Sequence, residues 1–187
     1  MLLDRHRFAD LTVGDILAEA RVARGSFYFY FSGKQDVLAE LVRRAVSEGQ
    51  AAAEPWLGDP LHPADALRAG IADGARLWQD NAAVLRAIVE NWRSDPDLTA
   101  LWLDQMNGFT EATVTRLRRD PDLTARFDEA DLRTLASSLT WLGERLYYLA
   151  AVGVPPFDDH DRLVATLWHV WTATLSCPRP TNDERAP

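Results

Sequence analysis

The 187-residue chain has a single cysteine, Cys177, and a single lysine, Lys34. One cysteine excludes a disulfide scaffold and a zinc site built on cysteine ligands. The formal net charge of -8 excludes a protein that coats nucleic acid through general basicity, although it leaves room for a local basic patch. The apolar runs are shorter than the roughly 20 residues of a membrane helix, and the N-terminus shows no apolar secretory stretch. We therefore expect a cytoplasmic protein that does not insert into a membrane.

Catalytic and metal-binding patterns are also missing. The histidines show no metal-ligand spacing, and the chain has no glycine-rich phosphate loop. No serine or cysteine lies in a nucleophile motif. The acidic run at 158–161 is more simply interpreted as a helix start than as a weak metal site. We therefore expect a protein that is not an enzyme and that uses no metal and no cofactor.

The pattern that is present is helical. Apolar residues recur every three or four positions nearly throughout, and no stretch alternates as a half-buried strand does, which predicts an all-α protein. The segment 55–63, with Pro55, Gly58 and Pro60, predicts a loop. The run Asp-Pro-Asp-Leu-Thr-Ala occurs at Asp95 and again at Asp120. Each copy predicts a helix that begins with an aspartate cap followed by proline.

The first 46 residues predict short helices joined by tight turns. Thr12 and Asp15 form a capping-box pattern before one helix, and Ser32 with Gln35 forms a second pattern before a longer helix. Between them, segment 24–31 predicts another short helix, rich in aromatic and hydroxyl side chains. Two short helices separated by a tight turn are typical of a helix-turn-helix.

A more specific motif occupies the same region. It consists of Leu11-Thr12-Val13-Gly14-Asp15-Ile16, Val22, Gly25-Ser26-Phe27-Tyr28-Phe29-Tyr30-Phe31-Ser32-Gly33-Lys34 and Val37-Leu38. This motif resembles the DNA-binding domain of the TetR family of bacterial repressors, and the aromatic run looks most like the family's ethionamide-regulator branch. The longer helices that follow are similar to the family in number and order. The resemblance implies a helix-turn-helix DNA-binding domain at 1–47 and a helical effector-binding and dimerisation domain at 48–176. The segment 177–187, with Pro178 and Pro180, predicts a flexible tail.

The resemblance also implies a set of DNA contacts. By this resemblance, Arg24, Gly25 and Ser26 would contact the groove, and Tyr28 and Phe29 would lie along the DNA backbone. Tyr30 would point toward base edges or phosphate, and Lys34 would bind phosphate. Stability alone would not select Arg24, because the helix macrodipole disfavours a positive charge at a helix start. Phe27 and Phe31 lie one turn apart and are expected in the core. For Tyr30, partial burial against the neighbours of Phe31 is the alternative.

The chain departs from the family's pattern at three places. Arg21 stands where the family usually has a turn glycine, and Ala23 stands where it has a capping serine or threonine. Only eleven residues precede Thr12, so most of the family's first helix is missing, which favours an upstream start or a weakly supported domain. Residues 1–50 hold seven basic and seven acidic residues, and an upstream basic arm would correct this balance.

The larger second part is expected to bind a ligand. Residues 51–187 hold 13 basic and 21 acidic residues and should repel DNA. Their many tryptophans predict either a large aromatic core or an apolar pocket between helices. The resemblance implies an effector held among the middle helices, and the candidate ligand-binding residues are Trp78, Trp102, Met106, Phe109, Trp141 and Tyr147.

Two observations bear on the nature of that ligand. The ethionamide-regulator branch uses asparagines where this chain has Thr140 and Gly143, so the ligand's identity does not transfer. The carboxylates of Glu90, Glu111 and Glu144 lie near the aromatic stripes. We interpret them as solvated helix faces, with contact to a cationic ligand as the alternative.

Dimerisation is expected through the leucine-rich helix at 132–149 and the last helix, with Trp168 and Trp171 at the seam and Trp141 as a further candidate. Two-fold pairing would place two recognition helices about 34 Å apart, so the expected partner is a double-stranded DNA operator with an inverted repeat. The expected function is a homodimeric repressor that a small apolar or aromatic effector releases from DNA. A helical ligand-binding or protein-binding dimer that no longer binds DNA is the alternative.

Overall fold

The computed structural model describes the backbone of residues 1–57 and 63–176 and the side chains of 1–47 and 65–176. Within these ranges the fold is all-α, as predicted, and no helix is long and apolar enough to cross a membrane. The predicted tail at 177–187 lies outside the described residues. The helices are α1 Val13–Ala20, α2 Arg24–Tyr30, α3 Lys34–Leu57, α4 Pro63–Asp80, α5 Ala82–Asn91, α6 Pro96–Leu117, α7 Pro121–Arg126, α8 Glu129–Ala151 and α9 His160–Ser176, and short 3₁₀ turns lie at Leu2–Asp4, Phe8–Asp10 and Trp92–Ser94.

Several helix starts follow the capping signals in the sequence. The Thr12 hydroxyl accepts from the Asp15 amide and the Asp15 carboxylate accepts from the Thr12 amide, which completes the predicted capping box of α1. Asp95 and Asp120 each accept from two amides at the starts of α6 and α7, with proline at the first helical position. Asp159 accepts from the amide of Arg162 at 2.9 Å, so the acidic run is a helix start.

The predicted loop at 55–63 is wrong at both ends. Helix α3 continues through Pro55 to Leu57, and α4 begins at Pro63, which leaves 58–62 outside the described residues. A proline this close to the end of a helix removes only one backbone hydrogen bond, which the rest of a long helix can tolerate.

One other local prediction needs correction. The partner of Ser32 is Asp36 and not Gln35: the Asp36 carboxylate accepts from the Ser32 amide at 2.8 Å and from its hydroxyl at 2.6 Å. Helix α8 ends at Ala151, before the Pro155-Pro156 pair. The stop comes from Gly153, whose positive φ of 72° allows the next amide to bond back into the helix.

One hydrophobic cluster joins the N-terminal segment to the middle of the fold. Leu3, Phe8 and Leu11 are buried in the same cluster as Trp102 and Met106 of α6. A second cluster is built from α4, α8 and α9, and a third from α6, α7 and α8. Helix α3 crosses the proposed domain boundary at 47–48 without interruption. The N-terminal segment is therefore packed directly onto the helices of the larger part.

The leucine-rich face of α8 packs mainly against the core of its own subunit. Leu132, Leu139 and Leu146 are buried in the core. Trp171 is only 9% exposed and packs in the α4–α8–α9 cluster, so its predicted place at a dimer seam is wrong. The apolar stripe of α9 faces the subunit's own core, because α4 and α8 cover it there. Trp168 is half-buried, and the Arg68 guanidinium lies 5.8 Å from its ring.

Candidate functional site

The turn between α1 and α2 is held in a conformation that usually requires glycine. Arg21 has φ 54° and ψ 41°, the left-handed region, and the Val22 amide donates to the Leu17 carbonyl at 3.2 Å. A non-glycine residue in this region costs about 1 kcal/mol or more. The turn therefore forms as the helix-turn-helix pattern predicts, with strain at Arg21.

Helix α2 presents aromatic rings to the outside. Phe27 is buried at 5% exposure, while Tyr28, Phe29 and Tyr30 are 49%, 80% and 75% exposed. The alternative that Tyr30 is partly buried is therefore wrong. Phe31 is half-buried, with its ring 5.6 Å from that of Phe27, so it contributes less to the core than expected. A stable fold alone does not explain adjacent exposed aromatic rings on one short helix, and such patches mark interaction sites.

The start of α2 offers unused hydrogen-bond donors. Ala23 provides no side-chain cap for the first amides, and Arg24, Gly25 and Ser26 are exposed. Among the described residues we find no hydrogen bond or ion pair for the Arg24 guanidinium. Free amides and a guanidinium at a helix start are the kinds of donor from which phosphates and base edges accept hydrogen bonds in other proteins.

The Lys34 ammonium is not free, as the phosphate contact predicted from the sequence would require. Its ammonium donates to the carbonyl oxygens of Phe8, Ala9 and Leu11 at 3.0, 2.9 and 2.7 Å. It also lies 4.9 Å from the centre of the Phe8 ring. Because an ammonium has three N–H donors, all of them are used. Lys34 therefore ties the N-terminal segment to the start of α3, and contact with a phosphate would require it to give up one of these bonds.

An apolar cavity of about 180 Å³ lies among the longer helices. Most of its wall comes from one face each of α4, α6 and α8. The lining residues include Ile71, Gly74 and Trp78 of α4, Trp102, Met106 and Phe109 of α6, and Thr140, Gly143, Glu144 and Tyr147 of α8. The α8 residues are spaced by three, one and three positions and therefore lie on one face of the helix.

Tyr147 closes the cavity against α4. Its hydroxyl donates to the Ile71 carbonyl at 3.0 Å, and its ring lies 6.3 Å from that of Trp78. The close approach depends on Gly74, because a Cβ there would lie 2.9 Å from the Tyr147 hydroxyl oxygen. Burial raises the pKa of the Tyr147 phenol above its usual value, so the group remains a neutral donor.

Two residues that line the cavity each have a buried polar atom with no hydrogen-bond partner among the described residues. These atoms are Nε1 of Trp102 and Oε2 of Glu144, and both side chains are at least 95% buried. Burial raises the pKa of the Glu144 carboxyl above its usual range. Buried polar groups in folded proteins normally have hydrogen-bond partners. Unpaired atoms on residues that line a cavity are therefore the groups for which a bound ligand could supply the missing partners.

Comparison with known proteins agrees with this architecture. Residues 1–41 match the family model described as bacterial regulatory proteins of the tetR family, and residues 67–176 match the C-terminal domain of the transcriptional regulator EthR. The HTH-type transcriptional regulator EthR of Mycolicibacterium smegmatis is 31% identical over 178 residues, which cover 93% of this chain and 81% of that protein. The chain belongs to the TetR family. The protein of the same name from Mycobacterium tuberculosis is 26% identical over 176 residues, covering 93% and 82% of the two chains.

Solved structures show the same fold. A TetR-family regulator from Syntrophomonas wolfei superposes with a TM-score of 0.75 at 12% identity, covering 96% of this TetR-family chain and 91% of the other. A tetR-family regulatory protein from Rhodococcus RHA1 gives a TM-score of 0.72 at 18% identity, covering 91% and 88%. The chain is thus a helix-turn-helix transcriptional regulator, a class of DNA-binding proteins that are not enzymes.

Most of the predicted effector residues of this TetR-family chain meet in one place. Trp78, Trp102, Met106, Phe109 and Tyr147 line the cavity, whereas Trp141 does not. Trp141 is half-buried and packs against the outside of the cluster that contains α6. Periodicity along α8 places tryptophan near the apolar face, but only the position of α6 decides which residues reach the cavity.

The three glutamates that the sequence places near the aromatic stripes, Glu90, Glu111 and Glu144, lie in different surroundings in this TetR-family chain. Glu90 is exposed and accepts from the Tyr148 hydroxyl at 3.2 Å, and Glu111 pairs with Arg133, as surface groups do. For Glu144 the interpretation as a solvated face is wrong, because the residue is 5% exposed and lines the cavity. Its burial could have been predicted from its position on α8, one turn before Tyr148 and next to Gly143, on the inward face of the helix.

Proposed function

We propose that the chain is a homodimeric repressor that binds an inverted-repeat operator through α2 and leaves it when a small effector occupies the cavity. The observation that carries this proposal is the shared core. Residues that anchor the N-terminal segment, such as Leu3 and Phe8, pack in one cluster with the cavity residues Trp102 and Met106. A change in cavity shape can therefore reach the DNA-binding segment through packed side chains.

The DNA-binding role is assigned to the exposed start and outer face of α2. Arg24 and the free amides of the first turn would meet phosphate or base edges, and Tyr28, Phe29 and Tyr30 would lie along the groove wall. Arg21 stands beside them in the turn and adds a positive charge. Lys34 contributes indirectly, because it fixes the N-terminal segment against α3.

The dimer is assigned to the outer faces of α8 and α9. The exposed residues of α9 include Ala165, Thr166, His169 and Ala173 along one side of the helix, and three of these four are small. Small residues allow two helices to approach closely. A two-fold axis at this surface would place the two α2 helices on one face of the duplex, about 34 Å apart.

The release step is a shift of population between two spacings of the α2 helices. An effector weakens operator binding only by the amount by which it prefers the spacing that does not fit the operator. Filling the cavity among α4, α6 and α8 would favour one packing of these helices. Helix α3 connects the DNA-binding segment to the helices around the cavity. A change in the packing of these helices would therefore change the spacing of the two α2 helices.

A fluorescence-anisotropy titration of the duplex upstream of the gene tests DNA binding. We expect specific binding that falls with salt, and we expect Arg24→Ala to weaken it and to reduce the salt slope by about one. Tyr30→Ala should weaken binding without changing stability, because the side chain is exposed. Arg93→Ala, which removes an exposed arginine of the 3₁₀ turn Trp92–Ser94, is the matched control.

The outcomes separate the repressor from its alternative. Operator binding that both α2 variants, Arg24→Ala and Tyr30→Ala, retain at the level of the Arg93→Ala control would contradict the assignment of α2. If neither this operator nor a library of duplexes is bound above the non-specific level, the helical ligand-binding dimer becomes the better description. Analytical ultracentrifugation of the protein alone tests the dimer, which a stable monomer at micromolar concentration would contradict.

A further inference from the structure

Glu144 is the charged residue among those that line the cavity in the described part of the chain. The surrounding wall is formed by leucine, isoleucine, valine, methionine, aromatic and small residues. An ionised carboxylate transferred into such surroundings loses the hydration that stabilises it, and this loss is large unless a partner replaces the water. An apolar residue of similar size would avoid that cost. The position therefore needs a reason beyond stability.

The protein itself does not supply a good partner. Arg145 Nε lies 3.9 Å from Glu144 Oε2, which is too long for a hydrogen bond, and the Arg145 side chain is 54% exposed. The hydroxyls on the same face of α8 are already committed elsewhere: Thr140 donates to the Ala136 carbonyl and Tyr147 to that of Ile71. Oε2 of Glu144 consequently remains without a donor among the described residues.

We propose that the effector is a cation, a protonated amine on a compact apolar body, and that its ammonium pairs with Glu144. This inference rests on the proposed function, because it names the ligand class of the cavity assigned there. The apolar body would contact the wall formed by Trp78, Met106 and Phe109. A cavity of about 180 Å³ is slightly larger than one of about 150 Å³ that holds benzene, so a single ring with a short aminoalkyl chain fits.

The physical basis for the preference is the low dielectric of the cavity. A hydrogen-bonded ion pair with the ligand gains the electrostatic attraction and also supplies the donor that the buried carboxylate lacks, which the long contact with Arg145 does not. A neutral ligand of the same shape offers at most a hydrogen bond, and an anionic one is repelled. We therefore expect the amine to bind at least about tenfold more tightly than the matched alcohol.

Isothermal titration calorimetry near neutral pH tests this with three ligands of one shape: phenethylamine, phenethyl alcohol and phenylacetate. For the wild type we expect the affinity order amine, alcohol, phenylacetate. Glu144→Gln should remove the preference and leave the alcohol affinity within about twofold, because the variant retains the shape of the side chain. Glu90→Gln, which removes an exposed carboxylate outside this cavity, should behave as the wild type.

The result that would overturn the inference is an alcohol affinity equal to that of the amine in the wild type. A preference that survives in Glu144→Gln would do the same. So would the absence of amine binding up to about 10 mM, because a Kd above this concentration is weaker than that of ordinary ligands. Glu144→Gln should fold at least as well as the wild type, since it removes a buried charge that has no hydrogen-bond donor. A thermal melt followed by circular dichroism checks this before the titrations.

Operator binding, measured with and without each ligand, distinguishes this inference from the proposed function. If the alcohol and the amine bind equally and both release the operator, the repressor mechanism stands and the cationic effector is wrong. If the amine binds through Glu144 but operator affinity is unchanged, the ligand class stands and the release mechanism is wrong.

Discussion

Tyr147 packs against Gly74 so closely that its hydroxyl oxygen would lie 2.9 Å from a Cβ at that position. The same hydroxyl donates to the Ile71 carbonyl one turn earlier on α4. The contact joins α4 to α8 at the cavity, and the absence of a side chain at residue 74 makes it possible.

Gly74→Ala should therefore push the Tyr147 ring away and break its hydrogen bond. We expect a loss of about 1 to 3 kcal/mol in the free energy of unfolding, because overpacking forces a rigid ring to move. Urea denaturation measures this loss. Tyr147→Phe is the control: it keeps the ring and loses only the hydroxyl, at about 1 kcal/mol. A Gly74→Ala variant as stable as the wild type would show that the two helices separate easily.

Lys34→Met should destabilise the protein as well as weaken DNA binding. The substitution leaves the carbonyls of Phe8, Ala9 and Leu11 without their shared donor, and hydrogen bonds to a charged group are each worth about 1.5 to 3 kcal/mol. Denaturant unfolding of Lys34→Met should show a loss in or above this range, whereas Arg24→Ala should leave the unfolding midpoint unchanged. A Lys34→Met variant of full stability with lost operator binding would restore the direct phosphate role.

Arg21→Gly should stabilise the helix-turn-helix. Arg21 holds a left-handed conformation that costs an L residue about 1 to 2 kcal/mol and costs glycine little. We expect the free energy of unfolding to rise by about 1 kcal/mol, and Arg21→Ala, which keeps the strain, to show no such gain. If Arg21 contacts phosphate, both variants should also lower the salt slope of operator binding by about one. A destabilised Arg21→Gly would contradict the strain at this turn.

The stability of the protein should depend on pH through Glu144. Burial raises the pKa of this carboxyl in the folded protein above the ordinary value of 4.5, so the folded state holds its proton more tightly than the unfolded state. Stability from this group is present below pH 4.5 and is lost as the pH rises through the folded pKa. Glu144→Gln should therefore gain stability over the wild type as pH increases from 4 towards 7, in thermal melts at a series of pH values. A constant difference between the two proteins would contradict a buried ionising group.

The helix-turn-helix and the all-helical fold follow from local signals. The capping box of Thr12 and Asp15, the aspartate caps of α6 and α7 and the spacing of apolar residues each act within one or two turns, so the order of residues is enough to predict them. The aromatic motif of α2 carries the family resemblance in the same way. Local signals were not enough at Pro55. This proline predicts a loop by itself, but the long helix α3 continues through it.

By itself the sequence determined the helices, the family and the exposed aromatic character of α2, because these depend on neighbours along the chain. The tertiary structure alone decided which side chains share an environment. It turned the ammonium of Lys34 onto three carbonyls, placed Trp171 inside the subunit and left Trp141 outside the cavity. It also buried Glu144 among apolar side chains, since the packing of α4 and α6 against α8 removes water from a position that helical spacing only places near the core.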